Sequence, residues 1–457
     1  MNTLESIDPG WAWTPYDGQT QESSGLQLRW DRRTAAHLFR RAGFGANVET
    51  IEAVLSLPPT QVVRDLINPP GDAEFDALED ALVSATLATG SSKQLGAAWI
   101  HRMLGTPAPL LEKLTLFWHG HFATGAEKVD SAELMWTQNT LLRQHALGDF
   151  ASMVQGIARD PAMLIYLDSA QNRKAHPNEN FARELMELFC LGEGNYSEQD
   201  VLELARCFTG WEIRNNKFRK NTYQQDRGMK TLLGKSGTFD GEEAINIVLA
   251  QPSMAQFVCR KLFRFFVCDE PSAPNSLIEP LAVLFRNSGG MIGPVVERIL
   301  GSQLFFSPLA HGRKVRSPVE LSVGFLRSLD GTTNLVELAN GLSEIGQGLF
   351  FPPNVKGWDG GRTWINSSTL VGRANLVHHI LTDEATRFEQ QSLADYIHSH
   401  GLSTCDEIID WMEALLFAIP VTAKNRAQLN ESFVRSSEQQ VRSLIHSLTT
   451  LPEFQLA

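Results

Sequence analysis

The sequence predicts an all-α protein, a large multi-helix assembly with long irregular loops and few or no strands. Apolar residues recur at spacings of three and four along most of the chain, whereas the alternation typical of strands is scarce. Helix-start signals also recur, with capping boxes at Ser197 and Asp200 and at Asp240 and Glu243, and with Pro252 at a first helical position. No repeat of fixed period divides the chain.

The 457 residues are expected to form an N-terminal arm and one large helical domain. Residues 1–30 are rich in glycine, proline and serine and predict a partly irregular arm. Residues 31–457 form the domain, which is divisible into two lobes: 31–210 with the candidate site, and 240–457 with the C-terminal helices. Within the second lobe, residues 346–366 contain five glycines and two prolines, so this stretch is not an ordinary helix.

Composition excludes several classes of function. The net charge of −12 argues against general binding to nucleic acids or anionic membranes. The five cysteines are odd in number and lack C-x-x-C spacing, which indicates reduced thiols. The N-terminus has no signal-peptide pattern and no apolar run reaches a membrane-spanning length, so the sequence is typical of a soluble cytoplasmic protein.

The densest group of chemical side chains lies on the helix predicted to begin at Asn178. Asn180, Arg183, Glu184 and Glu187 follow one another at i, i+3, i+4 and i+7 and form a polar stripe. Such a stripe is equally typical of a solvated surface with an Arg–Glu pair. If it faces a cleft, Glu184 and Glu187 supply metal ligands or a general base, and Arg183 holds one of them or an anionic substrate.

A second candidate is the pair His119 and His121, which ends an apolar, aromatic segment. If Gly120 releases the helix, two imidazoles in extended backbone can bind one divalent metal ion. Carboxylates from Glu184 and Glu187 would complete a site suited to Zn, Mn or Fe. Buried structural histidines are the alternative interpretation.

Two further features indicate binding. Trp358 and Trp364, in the stretch 346–366, can stack on a sugar ring or close a pocket, or they anchor this stretch to the core. Between Arg206 and Lys235, eight basic residues accompany only two acidic ones, a composition suited to a polyanion such as a sulfated or phosphorylated ligand. A solvated basic loop is the alternative.

Six motifs, in this order along the chain, resemble a large bacterial family, the domain of unknown function 1800. They are FRRAGFG, LTLFWHGHF, YLDSAQNRKAHPNENFARELMELFCLGEGNYSEQDV, ARCFTGW, DRGMKTLLG and GLFFPPNVKGWDGGRTWI. The resemblance runs from about Ala35 to Asn375, or alternatively to the C-terminus. Members of that family are often exported, and their genes frequently lie beside those of sulfatase-like proteins. The resemblance therefore implies a sulfatase-like partner, and export in complex with a signal-bearing partner as the alternative to a cytoplasmic location.

The resemblance also enlarges the candidate site, because its motif positions include Asp226 and Lys230. On this basis Arg183 and Lys230 are expected to stabilise an anion beside the catalytic carboxylates Glu184 and Glu187. The residues expected to bind substrate are Asn180, Asp226, Trp358 and Trp364.

Two functions are consistent with these features. The first is a metal-dependent enzyme of hydrolase or oxidoreductase type, because burying so many ionisable groups is costly without a partner or a function. The second is a non-catalytic binding or assembly protein for a polyanionic polymer or a sulfatase-like partner. Many relatives of that family carry a histidine at the position of Phe189 or Cys190 and another at the position of Gln225. If those histidines bind a metal ion in the relatives, this chain lacks the corresponding ligands.

Overall fold

The computed structural model describes residues 4–18, 29–434 and 437–457. Helices account for 61% of the structure, and three two-stranded sheets contain the strands of the described residues. The predicted class, mostly helical, is confirmed. Residues 1–3 and 19–28 of the predicted arm lie outside the described residues. None of the described helices is long and apolar enough to span a lipid bilayer.

The first thirteen α-helices precede the strands. Their bounds are α1 Pro9–Ala12, α2 Arg32–Ala42, α3 Val48–Val54, α4 Pro59–Ile67, α5 Ala73–Ala88, α6 Ser92–Gly105, α7 Pro109–His121, α8 Ala126–Val129, α9 Ala132–His145, α10 Phe150–Arg159, α11 Pro161–Tyr166, α12 Asn180–Glu184 and α13 Glu198–Cys207. Helix α12 continues directly into a π-helical segment, Leu185–Cys190. The capping box predicted at Ser197 and Asp200 starts α13.

Eleven further helices follow the first strands. They are α14 Gly241–Leu249, α15 Pro252–Phe266, α16 Asn275–Asn287, α17 Ile292–Leu300, α18 Pro318–Ser328, α19 Leu335–Glu344, α20 Ser367–Thr382, α21 Leu393–Ser399, α22 Cys405–Leu416, α23 Ala423–Ser432 and α24 Glu438–Thr450. The capping box at Asp240 and Glu243 starts α14, and Pro252 starts α15, as predicted.

The strands form three antiparallel pairs. They are β1 Trp211–Arg214 with β2 Lys217–Lys220, β3 Lys230–Leu232 with β4 Lys235–Gly237, and β5 Gly331–Thr332 with β6 Arg387–Phe388. The basic segment, for which a solvated loop was the alternative interpretation, therefore folds into two hairpins. Strand pairing satisfies its backbone polar groups and leaves most of the basic side chains exposed.

One contiguous cluster of buried apolar side chains extends from Leu4 to Phe454. Helix α7 runs through this cluster, and even its charged residues Glu112 and Lys113 are only 1% exposed. A buried charge is costly unless it is paired. Glu112 accordingly receives hydrogen bonds from Arg102 and Arg143, at 2.9 and 2.6 Å, and α7 is fixed firmly in the interior.

Candidate functional site

The two candidate histidines lie in the last turn of α7. The condition for convergence of the two imidazoles, release of the helix at Gly120, is not met, because α7 continues through Gly120 to His121. Successive residues of an α-helix are rotated by about 100°, so side chains two positions apart point in nearly opposite directions. His119 and His121 therefore face different neighbours and do not converge on one point.

His119 anchors the irregular segment 346–366, called the Trp loop below. Its side chain is buried, and its Nε2 accepts a hydrogen bond from the backbone N–H of Phe350 at 3.1 Å. Phe350 adopts a left-handed conformation with φ of +69°, which is uncommon for a residue with a side chain. Burial lowers the pKa of His119 to about 4. The ring is thus neutral and helps to hold an unfavourable backbone conformation in place.

His121 positions a lysine on the other side of α7. Its Nε2 lies 3.0 Å from the carbonyl oxygen of Phe189, and its Nδ1 lies 3.0 Å from Nζ of Lys261. Because the lysine can only donate, Nδ1 is the acceptor and Nε2 carries the proton that Phe189 accepts. Burial, with the nearby charge of Lys261, holds the pKa of His121 well below its usual range. Both ring nitrogens are occupied, so neither offers a lone pair to a metal.

The polar stripe is only partly directed inward. Arg183 pairs with Glu198 at 2.7 Å and with Glu179 at 3.2 Å, and a third of its side chain is exposed. This is the solvated ion pair that the sequence offered as an alternative. Glu187 accepts a hydrogen bond from the hydroxyl of Tyr196 at 2.8 Å.

Glu184 occupies a different environment from Arg183. Its side chain is half-buried, and burial together with the neighbouring charge of Glu187 raises its pKa, while Arg183 and Lys356 act in the opposite direction. The change from α-helix to π-helix directly after Glu184 alters the spacing on which the predicted stripe depended. Arg183 and Glu187 thus have partners outside the stripe, whereas Glu184 remains close enough to both of them for their charges to shift its pKa.

The predicted metal ligands do not fit a metal ion in this arrangement. Among the residues that the structure describes, no three His, Cys, Asp or Glu side chains lie close enough to bind one ion together. His119 and His121 point to opposite sides of α7, and the lone pairs of their rings are used within the protein. The predicted set of His119, His121, Glu184 and Glu187 is thus not assembled.

Three other predicted site residues, Lys230, Asp226 and Asn180, form contacts with nearby parts of the chain. Lys230 is 1% exposed and donates from Nζ to the backbone carbonyls of Asp226, at 2.7 Å, and Gly228, at 3.2 Å. The carboxylate of Asp226 pairs with Arg206 at 2.8 Å. Asn180 is exposed and directs its amide to the carbonyl of Leu167 at 3.4 Å. These contacts stabilise the local backbone.

A cavity of about 330 Å³ lies between the end of α7, helix α15 and the Trp loop. Three of the predicted site residues, His121, Trp358 and Trp364, line its walls. Its charged lining consists of the cations Lys261, Arg264, Lys314 and Lys356 and the acids Asp269, Glu320 and Asp359. Sequence motifs separated by more than 200 positions thus meet around one space.

Two glycines allow the Trp loop to lie against α7. Gly357 has a φ of +74°, and a Cβ atom there would overlap the carbonyl oxygen of Gly120. A Cβ on Gly120 would in turn lie 3.6 Å from the ring of Trp358, which is ordinary van der Waals distance. The close approach of the two backbones places Trp358 over the last turn of α7, where it forms one wall of the cavity.

Most of the acidic charge in the cavity is already neutralised. Asp269 pairs with Lys314, and Glu320 pairs with Lys113 at 2.5 Å. Asp359 is exposed on the Trp loop. The remaining charges on the walls are therefore mainly positive.

Three cations of the lining, Lys261, Arg264 and Lys356, have no carboxylate within 4.0 Å in the described parts of the chain. Lys261 instead donates to the carbonyl of Leu188 at 2.9 Å and lies 4.7 Å from the centre of the Phe257 ring. Burial, with Arg264 nearby, lowers the pKa of Lys261 to about 8. The lysine is thus mostly charged at neutral pH.

Lys261 and Arg264 are not among the site residues predicted from the sequence, although their positions in α15 mark them as unusual. Both interrupt the apolar pattern of α15, and their i, i+3 spacing places them on the same face of that helix. Arg264 is exposed and needs no partner, whereas a cation largely removed from water, such as Lys261, indicates either an ion pair or a charged ligand. Only the structure shows that carboxylate partners are missing.

The fold and the site define a mostly helical protein with a cation-lined cavity beneath a tryptophan-bearing loop. The chain belongs to the family described as "Protein of unknown function (DUF1800)", whose model matches residues 37–456. The resemblance seen in the motifs is thereby confirmed. No curated protein and no solved structure matches the chain.

Proposed function

We propose that the chain binds an anionic ligand, about the size of a sulfated or phosphorylated monosaccharide, in the cavity between α7, α15 and the Trp loop. The observation that carries this proposal is Lys261, a largely buried cation on the cavity wall without a carboxylate partner in the described residues. Removing a charge from water is costly unless an opposite charge compensates it. A bound anion supplies that charge. Arg264 and Lys356 also line the cavity, but their side chains are exposed and add only weakly to the attraction.

The aromatic lining supports a ligand with a ring as well as a charge. Trp358 and Trp364 both contribute to the walls, and tryptophan faces stack favourably on flat apolar surfaces such as those of sugars. The indole N–H of Trp358 is buried and has no hydrogen-bond partner among the described residues, so it is available as a donor. A cavity of about 330 Å³ lies at the lower end of the range for small-molecule sites.

The alternative binding surface, the basic hairpins, receives less support. Three of its eight cations, Arg206, Arg219 and Lys220, are paired with carboxylates. Exposed cations in water also attract a ligand weakly at physiological salt. A metal-dependent enzyme and a sulfatase-like partner stay predictions from the sequence and its family resemblance, and the proposal of an anion site depends on neither.

Calorimetric titration with galactose 6-sulfate tests the proposal, with galactose as the uncharged control. We expect binding of the sulfate ester and none, or far weaker binding, of galactose at pH 7. Between pH 7 and pH 9 the affinity should fall roughly tenfold, because Lys261, with a pKa of about 8, loses its proton while the sulfate keeps its charge. Equal binding of both sugars, or an affinity unaffected by this change in pH, would contradict the proposal.

A further inference from the structure

In the part of the chain that the structure describes, Lys261 has only uncharged hydrogen-bond partners. Its Nζ lies 2.9 Å from the carbonyl oxygen of Leu188 and 3.0 Å from Nδ1 of His121, whose ring is neutral. All three residues line the Trp-loop cavity, so the nitrogen lies at its wall. The ring of Phe257, with its centre 4.7 Å from Nζ, covers another side of the nitrogen. Lys261 is therefore largely removed from water and borders an open space.

The hydrogen bonds of Lys261 also fit its uncharged form. An ammonium group offers three N–H donors, whereas an amine offers two N–H donors and a lone pair. Leu188 and His121 accept from two of these three positions. The third position carries a donor in the charged form and the lone pair in the uncharged form. Because both N–H groups of the amine are already bonded, its lone pair is left for a group in the cavity.

The ionisable groups near Lys261 do not compensate its charge. Burial raises the pKa of the Cys190 thiol, so this neighbour is uncharged at neutral pH. Burial, and to a smaller extent the charge of Arg264, lower the pKa of Lys261 to about 8. About a tenth of the molecules therefore carry the free amine at pH 7. Desolvation and a neighbouring cation are the conditions that activate lysines as nucleophiles.

We propose that Lys261 is a nucleophile that forms a Schiff base with a 2-oxo acid bound in the Trp-loop cavity. The Schiff base rests on the proposed anion site, because the carboxylate of a 2-oxo acid is drawn to the charged form of Lys261. The ketone group is bonded directly to that carboxylate and therefore reaches the same nitrogen once Nζ has released a proton to solvent. A hexose sulfated at C6 carries its sulfate and its carbonyl at opposite ends, so one nitrogen does not meet both.

The reaction balances without an oxidant, a reductant or a second substrate. The lone pair of Nζ attacks the ketone carbon, so that a C–N bond forms and the π electrons of the C=O bond move to the oxygen. The two amine protons then pass, one after the other, through Nδ1 of His121 to that oxygen. The C–O bond breaks, the oxygen leaves as water, and a C=N bond joins Lys261 to the acid.

Reductive trapping of the full chain with sodium borohydride tests this proposal, with pyruvate as the probe. Borohydride adds hydride to the C=N bond and makes the adduct permanent, and mass spectrometry of proteolytic peptides locates it. We expect one adduct per chain, on Lys261. Its rate of formation should level off above about pH 9, because a lysine with a pKa of about 8 is then uncharged, whereas an ordinary lysine gains reactivity beyond pH 10. Adducts spread evenly over the exposed lysines, or none on Lys261, would overturn the proposal.

Two arginine variants separate the Schiff base from the anion site. Lys261→Arg keeps the charge but has no amine, so it should abolish the adduct and still bind galactose 6-sulfate. Lys217→Arg is the matched control, because Lys217 is exposed on β2, and it should be trapped like the unaltered chain. If the unaltered chain binds galactose 6-sulfate but gives no pyruvate adduct, the Schiff base alone is wrong. If it binds neither compound, the anion site is wrong as well.

Discussion

Replacing Lys261 with methionine is expected to weaken the binding of galactose 6-sulfate about 30-fold. Methionine has nearly the length of lysine but carries no charge, so the variant removes a charge-assisted contact worth roughly 2 kcal/mol. Lys261→Arg keeps the charge and should retain most of the affinity. Titration calorimetry at pH 7 measures both variants directly.

The control for Lys261 comes from the competing surface. Lys217 is exposed on β2 and has no carboxylate within 4.0 Å among the described residues, so Lys217→Met removes one charge from the basic hairpins. It should leave the affinity unchanged. If Lys217→Met weakened binding while Lys261→Met did not, the hairpins and not the cavity would be the anion site. Denaturant-induced unfolding of each variant shows whether a weaker affinity comes from the lost charge or from a destabilised fold.

Gly357→Ala is expected to lower the free energy of unfolding by about 3–5 kcal/mol. The backbone of Gly357, with a φ of +74°, is unfavourable for alanine, which costs roughly 1–2 kcal/mol. The new Cβ would also overlap the carbonyl oxygen of Gly120, and a packed helix end such as that of α7 cannot yield without further cost. Denaturant-induced unfolding followed by circular dichroism measures the loss.

Gly360→Ala separates the two contributions. Gly360 lies in the same loop with a φ of +71°, but a Cβ there would meet no atom closer than 3.9 Å. We expect this variant to cost only the backbone part, about 1–3 kcal/mol, because a φ of +71° with a ψ of −173° is a conformation open almost only to glycine. Equal losses for the two variants would show that the close approach between the Trp loop and α7 is not the constraint inferred here.

Local signals in the sequence were sufficient for the class of fold and for many element boundaries. Helix-capping side chains act on amides within three residues, so the starts of α13 and α14 could be predicted from Ser197 and Asp240. The irregular character of the Trp loop was also predictable, since glycine and proline act through their own backbone. These effects do not depend on the distant parts of the chain.

The candidate site was only partly predictable, because it depends on which way each side chain points. Because α7 extends through Gly120, the side chains of His119 and His121 point in different directions. A glycine can end a helix or be tolerated within it, so the sequence alone does not determine which occurs at Gly120. The π-helical segment after Glu184 shifts the polar stripe in a way that a regular period of 3.6 does not capture. Both predictions assumed a local geometry that tertiary packing overrides.

The cavity itself follows from long-range contacts. The composition of their loop marks Trp358 and Trp364 as candidates, whereas in the sequence Lys261 is one of three basic residues on an apolar helix. Its significance comes from His121, 140 positions earlier in the chain, and from the absence of a carboxylate nearby in the described residues. The spacing of apolar residues in a sequence does not show whether a charged side chain has an ion-pair partner in the fold.

The most direct test of the anion site is a crystal structure of the full chain soaked in sodium selenate, whose selenium is located by anomalous scattering. We expect a selenium peak in the Trp-loop cavity, with an oxygen of the selenate about 3 Å from Nζ of Lys261. Selenium peaks confined to the basic hairpins, with none beside Lys261, would contradict it.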